Sequence, residues 1–302
     1  MSTRRAARVL SSWWRAALCA GCIAFVTACG GSTTAGRPGD SLTVSPSSSA
    51  SRPAADGDPA QLVGSWALQA AGEGPGAILT VGDRVDGGLL LFRSCGMLSG
   101  SWRANTHGLF VGQIAGGDMA CYDGGHDAAP GWLDRVVGYR RDGSDALLVD
   151  DGGAVVARLT PGAHPTTGPN ESAEFASPPV VSPDMRTGFT DPAPLPADVT
   201  PADQAALVGR WVPVQPATSK AYVSFAADNT YSGSDGCNGE GGHYVLGADG
   251  VALATSGGST LVGCENSPLP RWIVESGRVG TREGRLVFVD PSGKVLGEAK
   301  RG

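Results

Sequence analysis

Cysteine is the residue type in this chain whose spacing could do chemistry. Of seven cysteines, Cys95 and Cys121 stand 26 residues apart, and Cys237 and Cys264 stand 27 apart. A thiol can be acylated, oxidised to a disulfide, bound to a metal or used as a nucleophile, and its compartment and surroundings decide which. The four histidines, His107, His126, His164 and His243, are scattered. No HExxH, Walker A or G-x-S-x-G pattern occurs. The densest polar group is Asp118, Asp123, His126 and Asp127 beside Cys121. Its oxygens could hold a divalent ion, but the spacing is not that of an EF-hand, and a solvated loop is the expectation. A Ser–His–Asp triad is a spatial arrangement and leaves no linear signature. The expectation is a protein that is not an enzyme, with no catalytic, cofactor or metal site.

The first cysteines belong to a leader. Arg4, Arg5, Arg8 and Arg15 precede the apolar run of residues 16–28. Thirteen residues are too few for a membrane span, which needs about 20. Positive charge followed by a short apolar stretch marks an export signal over residues 1–28. Its end, Val26-Thr27-Ala28-Cys29, resembles a bacterial lipobox. That resemblance implies cleavage before Cys29 and lipidation of its sulfur. Cys19-Ala20-Gly21-Cys22 has redox spacing but falls inside the leader. Four cysteines then remain besides Cys29, an even number suited to disulfides in an oxidising compartment. Residues 29–60 are rich in Ser, Thr, Gly, Pro and Ala and are expected to be a flexible tether. A coil of roughly 30 residues spans on the order of 30 Å.

The elements that must position the remaining cysteines occur twice. Leu-Val-Gly-X-Trp opens each copy, at Leu62 to Trp66 and at Leu207 to Trp211. Short apolar runs separated by Gly-rich turns follow, as for β-strands. Ala221, Val223 and Phe225 share one face by period-two alternation. A short helix is expected over residues 130–135 and over 269–276, with Trp132 matching Trp272. Another is expected from Thr200 as cap, with Pro201 in its first turn. Asp150-Asp151-Gly152-Gly153 and Asp290-Pro291-Ser292-Gly293 turn the closing hairpins. Each copy, residues 61–160 and 205–302, is expected to be a small antiparallel β-barrel; a sandwich is the other arrangement. The fold class is mainly β (α+β). Four cysteines allow three pairings. The repeat selects Cys95–Cys121 with Cys237–Cys264, because equivalent copies should use equivalent pairs. Between the copies, residues 161–204 carry little apolar periodicity, and prolines stand throughout. They are expected to form an extended linker that leaves the domains independent, with Phe175, Val180, Val181 and Phe189 able to pack on a domain.

The stretch around Cys237 carries the clearest pattern. Gly236-Cys237-Asn238, then Gly242 and Tyr244, then Leu261-Val262-Gly263-Cys264, resembles the META/HslJ-like domain. Leu286, Phe288, Asp290 and the Gly293 turn agree with it. In the earlier copy Gly96 stands at the Asn position and Trp102 at the Tyr position. The resemblance implies a small, mainly β domain with a helix against it, found in secreted or lipid-anchored bacterial proteins, some linked to stress. It implies no agreed activity. Read from the residues alone, the Gly-rich stretch is a tight turn pinned by a disulfide or a loop that touches a ligand. The aromatics Trp66, Trp102, Trp132, Trp211, Tyr244 and Trp272 could line a pocket, but core packing is the expectation for most of them.

The formal charge of −6 becomes −10 once the four leader arginines are removed. No basic stripe exists, which argues against nucleic-acid binding. The expected protein is lipid-anchored through Cys29 on the extracytoplasmic side of the cell membrane, with two binding domains for a small apolar ligand or an envelope protein. The alternative is a barrel-type inhibitor of a secreted protease.

Overall fold

Short alternating runs between glycines favour strands over helices, and the computed structural model is mainly β. It describes residues 57–83, 88–121, 130–169, 171–216, 220–260, 262–263 and 267–302. The leader, the tether up to residue 56, Cys29 and Cys264 lie outside the described residues, as do Asp123, His126 and Asp127. The end of the expected tether is instead ordered, with Asp58 capping a 3-10 turn at Pro59–Leu62 and the Gly57 carbonyl accepting the Tyr139 hydroxyl.

The first sheet contains β1 (Gly64–Ala70), β2 (Ile78–Val81), β3 (Gly88–Arg93), β4 (Gly96–Ala104), β5 (Phe110–Gly117), β6 (Gly138–Asp142), β7 (Asp145–Val149) and β8 (Val155–Pro161). They pair in the order β5-β4-β3-β2-β1-β8-β7-β6. The sheet is antiparallel and curls until its end strands meet at one bridge, Leu109 to Gly138. The second sheet follows the same order with β10 (Gly209–Pro213), β11 (Tyr222–Phe225), β12 (Thr230–Ser234), β13 (Gly239–Leu246), β14 (Ala252–Ala254), β15 (Arg278–Arg282), β16 (Arg285–Val289) and β17 (Val295–Arg301). Its ends approach at the Val251 to Arg278 bridge.

Equivalent residues do equivalent work in the two sheets. The Trp66 indole donates to the Leu62 carbonyl at 2.8 Å, and Trp211 donates to Leu207 at 2.7 Å. Farther along, Trp102 donates to the Gly82 carbonyl and the Tyr244 hydroxyl to that of Ala226, each just beyond the second strand of its sheet. All six core aromatics named from the sequence are buried. Leu62, Trp66, Leu79, Leu91, Leu98 and Phe110 fill the first interior, while Trp211, Phe225, Tyr231, Tyr244, Trp272 and Phe288 fill much of the second. The Cys95–Cys121 disulfide is present.

Three expectations change. The helix before the second sheet starts at Asp203, whose carboxylate caps the Ala206 amide at 2.7 Å. Thr200–Pro201 instead forms a short edge strand, β9, against Thr281 and Gly280. An outer edge tolerates the missing proline N–H. The Pro-rich segment also does more than space the sheets. Ser182 caps a helix at Pro183–Gly188, from which Met185 and Phe189 pack on the first core. Leu195 and Val199 pack on Val287 and Val289. Arg278, almost fully buried, donates to the carbonyls of Pro192, Ala193 and Asp249.

The third change concerns independence. Leu109, Val111 and Val137 of the first half and Val245, Val251 and Leu253 of the second form one buried apolar cluster. At its margin Thr255 donates to Gln113 at 3.0 Å, Ser101 to the Ser256 carbonyl, and Arg103 to the Val274 carbonyl. The sequence shows no docking face because these residues read simply as strand positions. Val111, Val245 and Leu253 face away from their own cores, so alternation alone assigns them to solvent.

Candidate functional site

The Gly-rich stretch is a turn followed by a strand. Asp235 organises the turn: one carboxylate oxygen accepts the amides of Cys237 at 2.8 Å and Asn238 at 2.6 Å, and the other accepts the Asn238 side-chain NH2 at 3.0 Å. Gly236 sits at φ 109°, a region that favours glycine. Asn238 is 8% exposed and its side chain is fully used. Its oxygen accepts Val262 N–H at 2.6 Å and the Thr260 hydroxyl at 3.0 Å, while its NH2 also reaches the Val262 carbonyl. Asn238 therefore clips the 260–262 loop onto the turn, and no hydrogen-bonding capacity remains for a ligand. In the first sheet Asp118 takes over part of this work, accepting the Met97 amide beside Gly96. A Cβ on Gly96 would stand 2.3 Å from that carboxylate.

From Gly239 the chain is β13, so the reading of the glycines as turn alone is corrected. Gly242 is needed there because a Cβ would lie 2.0 Å from the Thr255 carbonyl oxygen of β14's continuation. Gly100, likewise five residues after its cysteine, would place one 1.8 Å from the Gln113 oxygen. Tyr244 is buried in the second core and its hydroxyl pKa is pushed up to about 12 by burial. Cys237 is disulfide-bonded, and Cys264, its counterpart by the repeat, lies outside the described residues. Among the described residues no group of three or more His, Cys, Asp or Glu is arranged to hold a metal.

One residue in this stretch was missed from sequence. Glu240 lies on the strand face shared with Gly242 and Tyr244, the face turned to the core. It pairs across β12 with Gly233. At the same register in the first sheet, Leu98 pairs with Leu91, and both are core residues, Leu98 being 1% exposed. The second sheet thus carries glycine and a carboxylate where the first carries two leucines. In the second sheet an opening lies beside Glu240. It forms a cleft of about 470 Å³ between β13 and the helix Leu269–Glu275. Asp235, Glu240, Ser256, Ser267, Arg271 and Glu275 supply its polar groups, and Pro268, Pro270 and Val274 its apolar wall. Burial, and then the Asp235 charge, push the Glu240 carboxyl above the usual carboxylate range. Arg271 is held by Glu275 at 2.5 Å. The signal was legible only as a comparison: cysteine plus three is Leu98 in one copy and Glu240 in the other.

Comparison with family models, with curated proteins and with solved structures finds no match to this chain. The geometry alone therefore carries the functional reading.

Proposed function

We propose that this is an exported, lipid-anchored envelope protein in which two META-like units, tandem copies of one small barrel-like fold, make a single non-enzymatic binding body. The equivalence of strand order, of the indole-to-carbonyl bonds and of the close-approach glycines Gly100 and Gly242 supports the tandem reading. The carrying observation for binding is the replacement of the Leu91–Leu98 plug by Gly233 and Glu240 beside the motif. A core pair exchanged for a carboxylate over a cleft lowers stability, and such exchanges accompany function. Filled interiors in both sheets favour a polar ligand at the mouth over the apolar ligand inside a barrel that the sequence suggested.

Two variants test this reading. Cys29→Ser should lose palmitate labelling and leave the membrane fraction; retention of both sinks the anchor. Glu240→Leu restores the apolar residue of the first sheet. It should fold, remain anchored and fail to complement a deletion strain under envelope stress. Full complementation by a folded Glu240→Leu protein would sink the binding role of the cleft.

A further inference from the structure

The cleft beside β13 in the second sheet has two polar groups without a hydrogen-bond partner among the described residues. No described side chain or amide is hydrogen-bonded to the Glu240 carboxylate, although it is half-buried. Ser267, fully buried on the cleft wall, has a hydroxyl without a hydrogen-bond partner. Buried polar groups ordinarily find partners, and an orphan beside a cavity asks what completes it. Charge gives the answer. Three carboxylates, Asp235, Glu240 and Glu275, line the cleft against one guanidinium, Arg271, which is already committed to Glu275. Asp235 is spent on the turn amides. The uncompensated charge sits at Glu240, in the position where the first sheet needs only a leucine.

We propose that this cleft binds an organic cation bearing N–H donors, a protonated alkyl amine, with the Glu240 carboxylate as counter-ion and the Ser267 hydroxyl as second acceptor. The inference rests on the binding role proposed above and names its ligand class. An alkylammonium offers three donors and no acceptor, matching a carboxylate and a hydroxyl oxygen. Its alkyl stem would lie along Pro268, Pro270 and Val274. The shared chemistry could come from a free polyamine or from a lysine-type side chain on an envelope peptide.

Titration calorimetry on the full exported chain tests this, with cadaverine, a lysine blocked at both ends, choline and calcium chloride as probes. Saturable binding of cadaverine or blocked lysine, with Kd about 1 mM or tighter, is expected. Glu240→Gln should weaken it about tenfold or more, since a charge-assisted bond becomes neutral. Ser267→Ala, which removes only the orphan hydroxyl, should weaken it several-fold while leaving the melting temperature at or above that of the parent. Tighter binding of the blocked lysine assigns a peptide source, and tighter binding of cadaverine a polyamine. Choline, which lacks N–H donors, should bind far more weakly. Equal binding of choline, displacement of the amines by calcium at lower concentration, or unchanged affinity in a folded Glu240→Gln protein overturns the proposal. An absence of amine binding together with failed complementation by Glu240→Leu would overturn the ligand class and leave the binding role standing.

Discussion

The seam between the two halves can be probed at a single glycine. Gly247 has φ −103° and ψ −173°, extended backbone that any residue adopts. A Cβ placed there would stand 3.0 Å from Leu109 Cδ1 and 3.5 Å from Cδ2 of the same side chain. Gly247→Val therefore costs little in its own backbone, extended between β13 and the following 3-10 turn, and presses on Leu109 across the seam. Overpacking of this kind costs about 1–3 kcal/mol. At about 2–4 °C per kcal/mol, that lowers Tm by roughly 2–12 °C. Leu109→Ala alone removes a buried side chain from the apolar cluster and costs about 2–5 kcal/mol. Together the two changes are complementary, because the new valine enters the space the leucine leaves. Urea unfolding of the two single variants and the double variant closes the cycle. The double should be less destabilised than the sum by about 0.5–3 kcal/mol, with one unfolding transition for the parent. Additivity within about 0.5 kcal/mol, or two separate transitions in the parent, would refute a common body.

Other expectations concern the disulfide, the clip and the carboxylate. The Cys95–Cys121 bridge closes a loop with a sequence separation of 26. In the chain-entropy model a loop of that order is worth about 3–4 kcal/mol, so its reduction should lower Tm markedly. Non-reducing peptide mapping should join Cys95 to Cys121, and a Cys121–Cys237 peptide would break the reasoning. Asn238→Ala strips the partners from Val262 and Thr260, costing about 1–3 kcal/mol. Hydrogen exchange at the Val262 amide should accelerate with it; unchanged exchange would show that the clip does not hold the loop. For Glu240 the folded carboxyl binds its proton more tightly than the unfolded chain does, because of burial and then the Asp235 charge. Its contribution to stability is present at low pH and is lost as pH rises from the ordinary glutamate value through the raised folded one. Glu240→Gln, always neutral, should flatten that part of the stability–pH curve, and a parent curve already flat there contradicts the burial argument.

Much of the architecture was legible because short strands announce themselves by period. The closing hairpins, the helix Leu269–Glu275 and the core aromatics follow from alternation and turn chemistry. The first half of β13 was hidden. Its glycines read as turn residues, and only the approach of the Thr255 carbonyl explains why a strand needs Gly242. The start of the helix before the second sheet was misplaced by three residues, since Thr200-Pro201 has cap-like chemistry while the sheet edge claims it. The seam was invisible for another reason. Val111 and Val245 occupy positions that point outward from their own sheets, and period-two reasoning has no term for a second sheet arriving there. Glu240 escaped because a lone acidic residue in a glycine run looks solvated. Register is what sets it opposite Gly233 on the core face.

The difference between the halves has a physical logic. In the first sheet Leu91 and Leu98 are fully buried, and the Met97 amide donating to Asp118 holds the turn without an asparagine. That sheet is filled at the register where the second carries Gly233 and Glu240. It nevertheless acts on the cleft: Ser101 and Arg103, on its strand β4, donate to the carbonyls of Ser256 and Val274, both of which line it. These bonds from the first half restrain the wall of the cleft from outside. Residues that hold a binding group in place through other residues are what make a site rigid enough to select its ligand. The first sheet, filled with apolar side chains, thus braces the wall of the cleft in the second.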